Sequence, residues 1–296
     1  MADLNSIVLP GEGADGFACG SAGTLLVTKD SGNTWKRVPV PTRNDLLAVW
    51  FSEDMTLGFC TGVRGTLLRS VDTGASWQVV PAGTSADIHA VGLASDRRGV
   101  LVGAGGLVMT SGDSGATWRR VASPTTEDLC ALSFPAGAES GFAVGGRAAV
   151  LRQAADRENW FIAGEHSSYL TLRGVSFPED EAIGYACGDS GLVIKTEDAG
   201  STWRQMELPL VNADFRAIQF PLDTETGIVV GQAGTVLRTL DSGANWTMEY
   251  SGVGEDLMGL DFRPDGTLGC CCGRNGTILL TTDRGTSWAR AELVGV

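Results

Sequence analysis

The chain has 296 residues, 43% of them hydrophobic and 19% charged, with 41 glycines, a profile that excludes intrinsic disorder and describes short strands joined by tight turns. Its formal charge of −13 opposes the counterion release that drives phosphate binding, so no nucleic-acid partner is expected. No apolar run reaches the ~18 residues of a membrane helix, and MADLNSIVLPGEG lacks the basic start and apolar core of an export signal, so a cytoplasmic protein with no direct membrane insertion is expected.

From the N-terminus onward one eight-residue motif keeps returning: TKDSGNTW (28–35), SVDTGASW (70–77), SGDSGATW (111–118), TEDAGSTW (196–203), TLDSGANW (239–246) and TTDRGTSW (281–288). An eroded copy, QAADRENW (153–160), has Ala155 at the Asp position and Arg157 at the Gly position. The closing tryptophans, Trp35, Trp77, Trp118, Trp160, Trp203, Trp246 and Trp288, are spaced 41 to 43 residues apart. Repeats at 3–38, 45–80, 87–121, 128–163, 171–206, 214–249 and 256–293 therefore use up the chain as one domain.

Within the second repeat, DLLAVWF (45–51), GFCTG (58–62), GTLLRS (65–70) and WQVV (77–80) read as four strands. Four strands per repeat is the count for a propeller blade, which predicts an all-β, seven-bladed propeller with four antiparallel strands per blade. Gly62 and Gly65 flank Val63-Arg64, a link of hairpin length that recurs as GSAG, GAGG, GDSG, GQAG and GRNG, with only GGRA in the fourth copy. In each motif the aspartate (Asp30, Asp72, Asp113, Asp198, Asp241, Asp283) is expected to accept amide hydrogen bonds of its own turn, and the tryptophan to start the fourth strand as core. The chain begins in a first strand and finishes after a fourth, which predicts closure by side-chain packing of the last blade on the first, with no shared sheet.

The frame S/T-x-D-x-G-x-x-W resembles the Asp-box repeat of bacterial neuraminidases. The longer frame G-F-x-x-G-x-x-G-T-L-L-x-S-x-D-x-G-x-S-W is similar to the photosystem II stability and assembly factor family, along the full chain. That resemblance implies a seven-bladed propeller acting as an assembly scaffold, binding protein without catalysis, and carrying an arginine-rich surface.

Catalytic constellations are not apparent. A sialidase needs an arginine triad and a tyrosine nucleophile, and the only tyrosines are Tyr169, Tyr185 and Tyr250. His89 and His166 are isolated from each other, and the seven cysteines sit in apolar strands, as packing residues and free thiols would; no cofactor or metal is expected.

Two features remain as candidates. Asp3, Asp45, Asp87, Asp128, Asp214 and Asp256 open the first strands, with Thr171 in the fifth repeat, and first strands line a propeller's axis. These carboxylates are expected around one channel mouth, either tying down their own turns or forming a cation site or a socket for a basic side chain. Secondly, residues 97–173 carry a formal charge of +1, against −14 for the remainder, and include the eroded motif. Arg147, Arg152, Arg157, His166, Tyr169 and Arg173 are the candidate contact patch there for an acidic protein segment. The sequence thus points to a non-enzymatic, monomeric platform for protein binding or complex assembly. The alternatives are a carbohydrate-binding or glycan-processing propeller, or a consensus-like array.

Overall fold

A computed structural model describes the chain except residues 95–97, 136–139, 156–157, 165–167, 179–181, 210, 222 and 296. It is a seven-bladed propeller of antiparallel sheets, each built from strands in chain order. In blade two these are Leu46–Phe51, Gly58–Gly62, Leu67–Ser70 and Gln78–Val79. Second strands such as Gly58–Gly62 are buried along their whole length, because both faces of the sheet pack against neighbouring blades. Each seam between blades holds its own cluster of buried hydrophobic residues.

The repeated motif turns the third strand into the fourth. Asp72 Oδ1 accepts from the Ser76 amide (2.9 Å) and from Ser70 Oγ (2.8 Å), and Ser76 Oγ donates to Oδ2 (2.6 Å). Thr73 and Gly74 both take positive φ, 57° and 80°, the mirror-image turn that matches strand twist. A Cβ on Gly74 would lie 2.5 Å from the Phe17 ring of the preceding blade, so the glycine is needed for packing as well as for conformation. Hydrogen bonds from the turn hold the box aspartate below the usual carboxylate range; for Asp113 the Thr117 hydroxyl contributes most, followed by the Thr117 amide and Ser111, and the value falls to about 2.

The indoles do more than fill space. Trp35, Trp77, Trp118, Trp203 and Trp288 donate their Nε1 hydrogen to the box glycine carbonyl at 2.9 to 3.2 Å. Trp160 and Trp246 are also buried but their Nε1 atoms lack this bond. Trp35 is fully buried, whereas Trp203 is only half-buried.

Ring closure differs from the expectation of side-chain packing alone. Blade seven ends its fourth strand after Ala289–Arg290, and the chain then crosses to blade one, where Glu292–Val294 adds a fifth, parallel strand beside Thr34–Arg37. Glu292 pairs with Thr34 and Leu293 with Trp35, and the Glu292 amide donates to the Asn33 carbonyl at 2.9 Å. The crossing strand covers the indole of Trp35 and satisfies an otherwise bare sheet edge.

Candidate functional site

The face holding the first-strand starts and the turns between second and third strands is built from one repeated device. Each turn places its second and third residues at positive φ, as at Arg64 (57°) and Gly65 (69°), so the hairpin centres on Arg64-Gly65 and not on Val63-Arg64. The backbone carbonyl of the first-strand aspartate accepts from its own blade's turn, as Asp45 O does from the Val63 amide at 3.0 Å. Its carboxylate reaches backward to the preceding blade. Asp45, Asp87, Asp128, Asp214 and Asp256 accept from the amides of Ala22, Arg64, Gly105, Ser190 and Ala233 at 2.7 to 3.0 Å. Asp3 completes the circle on the Asn275 amide of blade seven, at 3.0 Å.

The aspartate ring therefore ties neighbouring blades together through its side chains, and its own turns through its carbonyls. Three of the six carboxylates also meet a guanidinium of this chain: Arg274 pairs with Asp256 (3.0 Å) and Asp3 (3.5 Å), and Arg216 with Asp214 (3.4 Å). The Ala233 amide and then Arg274 hold Asp256 below the ordinary carboxylate range. Among the described residues no group of His, Cys, Asp or Glu is arranged to hold a metal ion.

Blade five breaks the pattern, because Thr171 stands where the others have aspartate. At that seam Arg147 sits in the turn of blade four at φ 54°, followed by Ala148 at 53°, a position where other copies have glycine. The Arg147 guanidinium lies 5.2 Å above the ring of Tyr169, which is 87% exposed, and 3.9 Å from Glu127. In blade five Arg173 grips Asp189 of its own turn with Nε and Nη2 at 2.5 and 3.2 Å. Arg147, Tyr169 and Arg173 thus gather on the turn face.

Arg152 does not join them. It points to the opposite, Asp-box face, where Nη1 donates to the Ala199 carbonyl of the next blade at 3.4 Å and the guanidinium lies 5.6 Å from Phe142. Arg69 and Arg238 occupy the same slot of their blades and reach the Ser114 and Arg284 carbonyls in the same way. Arg152 is thus one of a series of inter-blade latches, a periodicity that alignment of the repeats displays but that its place in the irregular sector obscures. Arg157 and His166 lie outside the described residues. Arg216 was legible as the neighbour of Arg173 in the same first-strand slot, and it joins this face through Asp214.

The remaining reactive residue types are packed away. His89 Nδ1 lies 2.9 Å from the Leu129 carbonyl of the next blade. Burial pushes the Cys130 thiol up to about 11, against an opposing pull from Arg173, and Cys270 up to about 12. Thiols so placed are protonated and inert.

Comparison with known proteins places this architecture. The sequence profile of the photosynthesis system II assembly factor YCF48 family matches residues 29–126, 117–212, 166–250 and 202–295. No curated protein matches by sequence. The fold is similar to YCF48 from Cyanidioschyzon merolae, with 18% identity, TM-score 0.76 and 95% of each chain covered. It is also similar to a structure described as YCF48 bound to D1 peptide, with 18% identity, TM-score 0.77, and 95% of this chain and 92% of that one covered. A GH74 xyloglucanase from Xanthomonas campestris shares the fold at 12% identity and TM-score 0.80; 97% of this chain is covered but only 54% of the enzyme. With the matched residues running from 29 to 295, the chain belongs to the photosynthesis system II assembly factor YCF48 family.

Proposed function

We propose that this chain is a non-catalytic scaffold that docks an acidic protein segment on its turn face, across the seam between blades four and five. The observation that carries the reading is the exposed Arg147 and Tyr169 stack, on the same face as the Arg173 and Asp189 pair, at the seam where Thr171 interrupts the aspartate ring. Elsewhere on this face carboxylates are committed to backbone amides. Here a guanidinium 60% exposed, with only a loose contact to Glu127, presents a flat cationic and aromatic platform of the kind that anchors protein segments. Family membership and the peptide-bound relative support a protein ligand. A glycan-processing role has support from fold likeness alone, since the GH74 match is 12% identical.

The test is fluorescence polarisation with labelled acidic peptides bearing one aromatic residue. Arg147→Ala combined with Tyr169→Ala should weaken binding about tenfold or more, the loss typical of a central anchor. Arg152→Ala, on the other face, should leave it unchanged. Equal losses in both variants, or none in the first, would sink the assignment.

A further inference from the structure

The fourth strand of a blade has no neighbouring sheet on its outer side, and such an edge accepts a further strand unless it is short, charged or broken by proline. Most blades of this chain carry one of those devices. Lys36 and Arg37, Arg119 and Arg120, Arg204, and Arg290 put cations on the edges of blades one, three, five and seven, and Pro39 and Pro81 follow the fourth strands of blades one and two. Blade six has neither. Its fourth strand, Thr247–Glu249, runs on to Tyr250 without lysine, arginine or proline, and its one charge, Glu249, pairs at 3.8 Å with Arg238 of the strand behind it. Blade four's edge, Trp160–Ile162, is also uncharged, but it lies between residues outside the described set.

Met248 and Tyr250 alternate with Glu249 and so share one side of the chain there. They are 59% and 87% exposed, within a stretch, 223–295, that is described throughout. In the other six blades the amide three residues after the box tryptophan donates inward, as Val38 does to the Leu25 carbonyl and Met206 to the Val193 carbonyl, both at 2.8 Å. Glu249 holds that position in register with Val236, so the N–H and C=O of Met248 point away from the sheet. The molecule itself shows what such an edge takes. At blade one Glu292–Val294 lies parallel to Thr34–Lys36 with Leu293 registered on Trp35, and Trp246 is the counterpart of Trp35 in blade six. Blade six, 214–249, has five acidic residues against Arg216 and Arg238, a balance that opposes a second copy of the same edge and favours a neutral or basic strand.

We propose that the outer edge of blade six is a docking site for an extended segment of another protein, which adds as a fifth strand parallel to Thr247–Glu249. Its backbone pairs with the outward groups of Met248, and apolar residues at alternate positions pack beside Met248 and Tyr250, an adaptable thioether and a broad ring. The segment is neutral or basic, to suit the acidic blade. This site lies on the rim of the propeller and does not depend on the Arg147 and Tyr169 platform, whose ligand has the opposite charge, so each can fail without the other.

Titration of the whole chain with a short capped peptide of alternating valine and threonine ending in lysine, read by amide hydrogen exchange in NMR spectra, tests the proposal. Saturable binding is expected, with the Met248 amide exchanging about tenfold more slowly in the complex and the Glu249 amide, already inside the sheet, unchanged. Met248→Lys, which gives this edge the charge that other blades carry, should weaken binding about tenfold or more at an unchanged Tm, since the side chain it replaces is exposed. A peptide with proline at its central residue should not bind, because it lacks the donor that pairing needs. Arg147→Ala should leave binding as it is. No saturable binding, protection away from blade six, equal binding of the proline peptide, or weakening by Ile162→Lys in place of Met248→Lys overturns the proposal. So does a dimer of the free chain that Met248→Lys disperses, since the edge would then belong to a second copy.

Discussion

The seam between blades seven and one is secured by several independent means, whereas the seam between three and four retains few. At the first, Glu292–Val294 pairs with Thr34–Lys36, Asp3 caps the Asn275 amide, and Asp261 Oδ2 accepts from the Leu9 amide at 2.6 Å. At the second, Asp128 still holds the Gly105 amide on the turn face, but on the other face Thr110 stands at the latch position, Val100 stands where other blades put an aromatic ring under the box glycine, and the box is the eroded copy. The two ends of a seam are therefore separately variable. Where the ring must close across the greatest sequence distance, bonds accumulate; where neighbours are consecutive, one end is free to lose its bonds.

The largest expected effect lies at the closing seam. Trp35→Ala removes a fully buried indole and should cost about 3–5 kcal/mol in urea unfolding, more than Trp203→Ala, whose ring is half-buried. Equal losses would mean that the crossing strand adds nothing to the burial of Trp35.

Next comes the carboxylate of Asp261, which bridges three blades by accepting from Leu9 of blade one and from Gln219 Nε2 of blade six. Burial pushes it up to about 6, partly offset by the Leu9 amide and Gln219. A raised acid binds its proton more tightly when folded, so this contribution to stability is full below about pH 4 and lost as pH rises through 6. Asp261→Asn removes the charge that burial opposes, keeps an acceptor for the Leu9 amide and, once the Gln219 amide turns over so that Oε1 accepts from the new Nδ2, should stabilise the protein at pH 7 by at most about 3 kcal/mol. Thermal melts from pH 4 to 8 should then be flatter than those of the parent; identical profiles would refute the linkage. Asp113 acts with the opposite sign, since its lowered value, about 2, gives stability that is present above pH 4 and lost as acid is added.

Much of this organisation was legible in the sequence. The box at a period of 41 to 43 residues fixes blade number, strand count and the face of each turn, because every copy repeats the same local chemistry. Relations between copies were harder to read. The aspartate ring could be placed at the first-strand starts, but its partners are amides 23 residues earlier in another blade, and no local pattern marks them. The Arg152 latch was hidden for the same reason: charge balance over a sector groups residues that the alternation of strand faces sends to opposite sides. The crossing strand is hard to separate from the fourth strand before it because Ala289 to Leu293 alternates small or apolar with charged residues as one strand would, although Glu292-Leu293-Val294 extends beyond the point where other fourth strands stop.

Smaller effects sharpen the contrast between intact and broken seams. Asp3→Ala should lose about 1–2 kcal/mol by leaving the Asn275 amide and Arg274 without their carboxylate, and Thr171→Asp should gain about 1 kcal/mol by supplying the absent tie to blade four. If Thr171→Asp also weakens peptide binding, the interruption of the ring serves docking. Ala148→Gly, relieving a φ of 53° in a residue with a Cβ, should add about 0.5–1 kcal/mol, measurable as a rise in Tm.

The crossing strand also sets an order of events during synthesis. Blade one precedes the rest of the ring, yet the sheet edge formed by Thr34–Arg37 is paired only by Glu292–Val294, nearly the whole described chain later. Until then that edge presents unpaired backbone groups to which another strand could add. The segment that closes the ring therefore also removes an edge on which a second molecule could pair, so closure and protection against edge-to-edge association are supplied by the same three residues.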